Sequence, residues 1–383
     1  MKKIDNYNES NGSFGNALGI NMNAVGGLRH KNIDLLETIA IFFVVFYHAN
    51  ISPCDFVNSP SILTYTSFLL QSVLSTCCPL FFFCSGYVLL NRSLDLKKHI
   101  FKTFRLILIA IIWAMFTIFV LMYTDHTKLS PVEFYKTFIN KTESWIGYFW
   151  FLGALVCLYI TFPLIKNAFD TSKSVIFYMI LVCYFVPLAN MLVNRFNSAI
   201  VHDFGGIFFD MFNPLKGANA YSYQYFMLGG LLGFYKDEIL DIFEEKRISV
   251  LACGIAMIVI FASILGAYGI FKSLKSHNVW DMVFNSYDSI LTCGMVLGFF
   301  LVSTTYNPSD HPNIEKVIRT ISCNTLSVYI FHEIIIHAVK NNVSISPIFC
   351  NPIGTLIYSI FIVAICTLLG WVCKRIPFIG KLF

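Results

Sequence analysis

The chain is 383 residues long, 56% hydrophobic and only 13% charged, with a mean hydropathy of +0.67. A soluble domain of this length carries about 25% charged and roughly 45–50% apolar residues, so a water-soluble globule is excluded. The net charge of +5 is small and scattered through polar segments, which leaves a nucleic-acid partner without support.

The apolar excess falls in blocks of about 18–25 residues, the length a helix needs to cross a hydrocarbon core of about 30 Å. The expected fold class is therefore an all-α polytopic membrane protein, a bundle of about ten transmembrane helices in the lipid bilayer. Residues 1–32 are rich in Asn, Gly and Ser and have no apolar core behind Met1-Lys2-Lys3. They read as a flexible cytoplasmic tail rather than a cleaved signal peptide, with the membrane domain over 33–383. Candidate spans centre on 33–50, 63–90, 101–123, 147–165, 174–193, 221–235, 248–270, 282–302, 318–339 and 353–373. The second is expected to kink or break at Pro79, and the sixth is short and glycine-rich.

With the N-terminus inside, 19 of the 27 lysines and arginines fall in cytoplasmic segments and 8 outside. That asymmetry follows the positive-inside rule and puts both termini in the cytoplasm of a multi-pass protein of the cell (plasma or inner) membrane. The twelve cysteines lie mostly within apolar segments, without CxxC spacing, and read as small buried hydrophobes. A disulfide between Cys54 and Cys350, both read on the outer side, is the minor alternative.

The first span, DLLETIAIFFVVFYHAN over 34–50, carries Asp34 and Glu37 near its inner end and His48 near its outer end. Fourteen residues of helix separate Asp34 from His48 by about 21 Å. Ionisable groups in a span are expensive and mark function. An imidazole titrates near neutrality, which makes His48 a candidate general base for a sugar hydroxyl. No acid lies one turn away on the same helix, so an orienting partner must come from another span; Asp288, His332 and Glu333 are the candidates by type.

The second span ends in CPLFFFCSGY, where Ser85 and Tyr87 offer hydroxyls around Gly86. Small residues there equally suit helix packing. A basic segment follows, with Arg92, Lys97, Lys98, His99, Lys102 and Arg105; Lys102 and Arg105 share a helical face and can clamp a phosphate, although a positive-inside anchor would look the same. Trp145, Tyr148 and Trp150 have the spacing of an interfacial aromatic belt. Farther on, SVYIFHE puts Tyr329, His332 and Glu333 on one helix, with Tyr329 sharing a face with each of the other two.

These elements, in this order, resemble the integral-membrane acyltransferase 3 family from about residue 29 to the C-terminus. That family's first helix runs Asp, a few apolar residues, Arg, then His eleven positions later. Asp34 and His48 match, while Glu37 stands at the Arg position. Pro79 to Tyr87 matches the family's PLFFxxSGY element, and Lys102-Thr-Phe-Arg105 stands for its Arg-x-x-Arg. Trp150-Phe-Leu followed by Tyr159, and Ser327 to His332, correspond to further family elements.

The resemblance implies an enzyme that moves an acyl group, most often acetyl, from cytoplasmic acyl-CoA to a surface or lipid-linked glycan. It implies catalysis by His48; the tetrahedral oxyanion then needs a preorganised donor, for which Ser85 or Tyr87 is the candidate. Asp34, Glu37, Lys102, Arg105, Trp150, Tyr159, Tyr329, His332 and Glu333 would line the donor and acceptor sites. Acetyl-CoA or another acyl-CoA is a donor substrate in this reading; no tightly bound cofactor and no metal are expected. Self-association and partners in polysaccharide synthesis stay open.

Glu37 leaves three alternatives: a cation such as Arg29 or Lys31 compensates, the donor differs, or catalysis is lost. Cys84 as a covalent acyl carrier is weaker than Cys84 as a packing residue. Two other functions suit the same composition, an exporter of glycan or lipid-linked sugar and a non-catalytic member of a polysaccharide assembly complex. If His48 acts as an unprotonated base, acyl transfer falls as pH drops through the ordinary imidazole value of about 6.5. A flat rate between pH 5 and 8, with chemistry limiting, would remove that role.

Overall fold

The computed structural model describes residues 30–139, 146–200, 220–307, 311–343 and 349–382; the expected tail and Arg29 lie outside them. Fourteen helices account for most of the described residues, and no strand occurs among them. In chain order they are α1 (Lys31–His48), α2 (Ile62–Leu74), α3 (Cys77–Leu89), α4 (Leu96–Thr124) and α5 (Pro131–Ile139). Next come α6 (Trp150–Thr171), α7 (Lys173–Ile200), α8 (Tyr221–Phe234), α9 (Lys236–Glu245) and α10 (Arg247–Ser276). The last four are α11 (Ile290–Thr304), α12 (Pro312–Ser322), α13 (Thr325–Asn342) and α14 (Pro352–Cys373).

Among the described residues, five stretches are long and apolar enough to cross a membrane: Ile62–Leu89, Leu96–Thr124, Gly147–Thr171, Arg247–Ser276 and Pro352–Cys373. Their outer faces are greasy. Phe101, Phe104, Phe119, Ile255, Val259, Ile357 and Phe361 are among many large apolar side chains left exposed. An apolar surface of that extent is stable against lipid, not water.

α1 lies inside this shell, packed against α2, α3, α11, α12, α13 and α14. Its buried residues Ile33, Asp34, Leu36, Glu37, Ala40, Ile41, Val44 and Val45 recur at three- and four-residue steps. That spacing makes one face, and the face carries the two acids as well as the aliphatic residues.

The second expected span breaks one turn before the proline marked for it. α2 ends at Leu74 and α3 begins at Cys77, which puts Pro79 at the third position of α3. A proline in the first turn has no intrahelical hydrogen bond to lose, and its ring is incompatible with a helical carbonyl four residues earlier. The disruption therefore falls at Ser75, the C-cap of α2. The expected span 318–339 is likewise two helices, α12 and α13, separated at Cys323–Asn324. Asn324 Nδ2 donates back to the Thr320 carbonyl (2.7 Å), while Lys374 Nζ donates to Cys323 O (2.7 Å) and Asn324 Oδ1 (2.9 Å). Side-chain groups hold the break where the backbone ladder stops.

The glycine-rich sixth span is α8, and its composition is explained by its neighbour. A Cβ on Gly229 would run into the Phe83 carbonyl, and one on Gly86 into the Phe226 carbonyl. The backbones of α3 and α8 thus lie in mutual contact, the small-residue packing that membranes favour. None of the twelve cysteines is in a disulfide, Cys54 and Cys350 included; Cys54 Sγ accepts from Asn50 Nδ2 (3.2 Å) and Gln71 Nε2 (3.3 Å).

Gly86→Ala and Gly229→Ala must push these backbones away from each other, a change costing on the order of 1–3 kcal/mol or more. Gly153, with open space around its Cα, tolerates alanine. Thermal unfolding of the detergent-solubilised protein should separate the two classes; equal melting temperatures would refute the contact.

Candidate active site

α1 ends at His48, and the last turn of that helix faces α13 across the bundle. His48 Nδ1 is paired with Glu333 Oε1, with the two side chains 27% and 28% exposed. The pair is thus reachable from the surface while held between two helices. Asp288, the other acid offered by the sequence as a partner, lines a different cavity.

His332, the residue before Glu333, is fully buried. Its Nδ1 lies 2.7 Å from the Tyr329 carbonyl and 3.2 Å from that of Val328. Carbonyls only accept, so Nδ1 carries the proton and a neutral ring keeps its lone pair on Nε2. That Nε2 is buried without a hydrogen-bond partner. The His332 ring stands edge-on to His48, centroids 5.0 Å apart, and also against Tyr148 at 5.3 Å. His48, His332 and Glu333 offer ligand atoms within 4.8 Å of one another, a grouping that could hold a cation.

A cavity of about 230 Å³ opens beside His48, lined among others by Tyr47, Cys77, Cys78, Tyr148, Trp150 and Tyr329. Trp150 is half-buried here and packs on Tyr287 at 5.8 Å. Tyr148 is buried in the site, not set at a lipid interface as the belt spacing suggested; Trp145 lies outside the described residues. The Tyr148 hydroxyl donates to the Ile330 carbonyl (3.0 Å), and the Tyr329 hydroxyl donates to the Tyr148 carbonyl. These reciprocal bonds fasten the segment before α6 to the turn of α13 that bears His332 and Glu333. Tyr47 OH donates to Asp281 Oδ2 (2.8 Å), tying the residue next to His48 to the segment before α11.

Sequence reasoning passed over Tyr47, Cys77, Cys78 and Tyr287 as site residues. The adjacent cysteines, Sγ atoms 3.8 Å apart, read as packing residues, and nothing local distinguished them. Tyr47 alone carried a signal, its place beside His48.

Asp34 and Glu37 are at the opposite end of α1. Both are buried, and Ser322 Oγ of α12 lies 2.8 Å from Asp34 Oδ1 and 2.9 Å from Glu37 Oε2. Lys31, one of the two cations considered for Glu37, pairs with Glu315 (3.1 Å). Tyr87 belongs to this end too, its ring 5.5 Å from that of His30 just before α1. The whole of α1, about 27 Å at 1.5 Å per residue, separates His30 from His48. The expected placing of Tyr87 beside His48 is therefore corrected. Ser85, about 10 Å along α3 from the cavity-lining Cys78, is corrected with it. Cys84 is buried at this same end, close to Glu37 and Asp34.

The basic segment gathers at this second end. Asp95 caps α4 by accepting from Lys98 N (3.1 Å), which starts the helix just before Lys102 and Arg105. Lys102 is half-buried beside Arg92 and Lys98, and Arg105 lies one turn on with partners of its own. His99 is buried, stacked on Tyr159 with centroids 5.5 Å apart and its Nε2 2.7 Å from the Tyr159 carbonyl. The Tyr159 hydroxyl is buried without a hydrogen-bond partner. Burial, then the charges of Lys236 and Arg92, hold the His30 imidazole below its usual range. Cations thus converge at the end of the bundle away from His48.

A family model described as an acyltransferase domain, that of the acyltransferase 3 family, matches residues 30–373. The chain belongs to this family. No curated protein and no solved structure matches it. The matched region takes in both ends of α1, the basic segment and α13, so this family member is a multi-pass membrane acyltransferase in which those elements form one unit.

Removing the Tyr148 hydroxyl deprives the Ile330 carbonyl of one donor, a loss of about 1 kcal/mol. Tyr148→Phe should lower the melting temperature by a few degrees and cut turnover, as the Glu333-bearing turn loosens. A variant indistinguishable from wild type in both would show that this hydroxyl does not set the site.

Proposed function

We propose that this acyltransferase moves an acetyl group from cytoplasmic acyl-CoA to a hydroxyl of a cell-surface or lipid-linked glycan, with His48 as general base. The observation that carries this reading is the His48–Glu333 pair beside an open cavity. A carboxylate on Nδ1 selects the tautomer whose Nε2 lone pair is free to take a proton, the logic of a catalytic triad. The buried edge of His332 fixes the plane of the ring.

In the reaction, His48 Nε2 accepts the proton of the acceptor hydroxyl as its oxygen bonds to the thioester carbonyl carbon. Collapse of the tetrahedral intermediate breaks the C–S bond, and the proton passes from Nε2 to the departing CoA sulfur. The oxyanion donor comes from the His48 end of the bundle, where the Gly147 backbone and the thiols of Cys77 and Cys78 line the cavity.

The opposite end supplies the donor side. Arg92, Lys102 and Arg105 meet the phosphates of CoA, and the orphan Tyr159 hydroxyl offers a hydrogen bond. Both termini then lie in the cytoplasm, in keeping with the lysine and arginine asymmetry. The acids Asp34 and Glu37 take no phosphate; in this reading they fix α1 to α12 through Ser322.

Inverted membrane vesicles supplied with acetyl-labelled acetyl-CoA and the host's surface glycan test the assignment. Wild type should label carbohydrate, His48→Ala should abolish labelling, and Glu333→Gln should slow it by about 10²–10⁴-fold at equal abundance, by analogy with loss of the orienting carboxylate in a triad. Labelling that survives His48→Ala would end the proposal.

A further inference from the structure

We propose that a second cavity, on the far side of the segment 281–289 from His48, is a carbohydrate subsite that grips the acceptor next to the sugar being acylated. The inference rests on the glycan reading above and extends it to residues outside the His48 site.

The segment between α10 and α11 is a wall with two faces. Phe284 and Tyr287 line the His48 cavity. Asn285, Ser286, Asp288 and Ser289 line the other cavity, of about 480 Å³. The Tyr47–Asp281 hydrogen bond clamps this wall to the last turn of α1.

The second cavity has the chemistry of a sugar site. Tyr268 and Trp280 stand edge to face, centroids 5.5 Å apart, and both are half-buried. The Trp280 backbone is anchored by its N–H donating to Ser273 Oγ (2.9 Å), and Ser273 in turn donates to the Gly269 carbonyl (2.8 Å). The ring is thus presented by a rigid helix end. Lys272 Nζ lies 5.9 Å from each ring centroid. Asn285 donates its amide to the Asp281 carbonyl (2.7 Å), which turns its Oδ1 to the acceptor role.

Aromatic faces take the C–H faces of a pyranose, and a carboxylate, an amide and an ammonium around them take its hydroxyls. The volume is within the range of small-ligand pockets, about 300–1,000 Å³. The lining also includes aliphatic Leu265 and Ile290, which would suit an acyl chain. An acyl chain has no use for Lys272, Asn285 and Asp288 in the same lining, so a sugar fits the whole lining and a lipid only half of it.

Full-length protein in detergent should be titrated with a radiolabelled tetrasaccharide from the producing cell's surface polysaccharide, without donor. Wild type should bind it, Trp280→Ala should weaken binding at least tenfold, and Asp288→Asn severalfold. Melting temperature and acyl-CoA binding of each variant report whether it is folded. Absence of binding to wild type, or equal binding to wild type and both variants, overturns the subsite. So does a spin-labelled fatty acid that leaves the cavity in Trp280→Ala while the tetrasaccharide stays. Failure of the acyl-transfer reading is seen separately, as no donor-dependent labelling of the surface glycan by wild-type vesicles.

Discussion

Hydrocarbon offers no water to a polar side chain, so every ionisable group on a buried membrane helix must find its partner on another helix. α1 carries Asp34, Glu37 and His48 along its 18 residues, and that requirement organises the bundle. Ser322 at the end of α12 serves Asp34 and Glu37, while Glu333 on α13 serves His48. One helix is thus pinned at both ends by one stretch of chain, and the long apolar helices enclose the assembly.

The remaining contacts that set the site are short and local. Tyr47 binds Asp281, Tyr148 binds the α13 backbone, and Tyr329 returns the bond. Each phenol spans from an apolar packing position to a backbone or carboxylate acceptor, the use to which buried tyrosines are suited. Together they hold three separate segments around His48 with little main-chain hydrogen bonding between them. The glycine contact of α3 with α8 does the complementary task, bringing two backbones together where no side chain could fit.

The two ends of α1 have opposite character. One collects cations, a buried histidine and an orphan phenol; the other has a histidine, a carboxylate and aromatic walls. The proposed reaction, from a phosphate-bearing thioester to a carbohydrate, uses both. In that proposal the separation along α1 gives each substrate its own side of entry, which a single open pocket would not provide.

Composition and block length by themselves determined the membrane-helical class, because apolar excess in stretches of about 20 residues has no other stable use. The motif order reached the family, and His48 stood out because a histidine at the end of an apolar helix is conspicuous. Local sequence also marked Pro79, but the break lies four residues upstream, where the proline ring meets the preceding turn. Only the tertiary structure decided between Asp288 and Glu333 as the partner of His48, since both are acids within expected spans and only the fold sets Glu333 against His48 while Asp288 lines a separate cavity. It also moved Ser85 and Tyr87 away from His48 and brought Tyr148 to it. The reason is physical: residues on one helix have distances set by its rise, whereas which helices meet depends on where small residues let backbones approach and where buried polar atoms find each other.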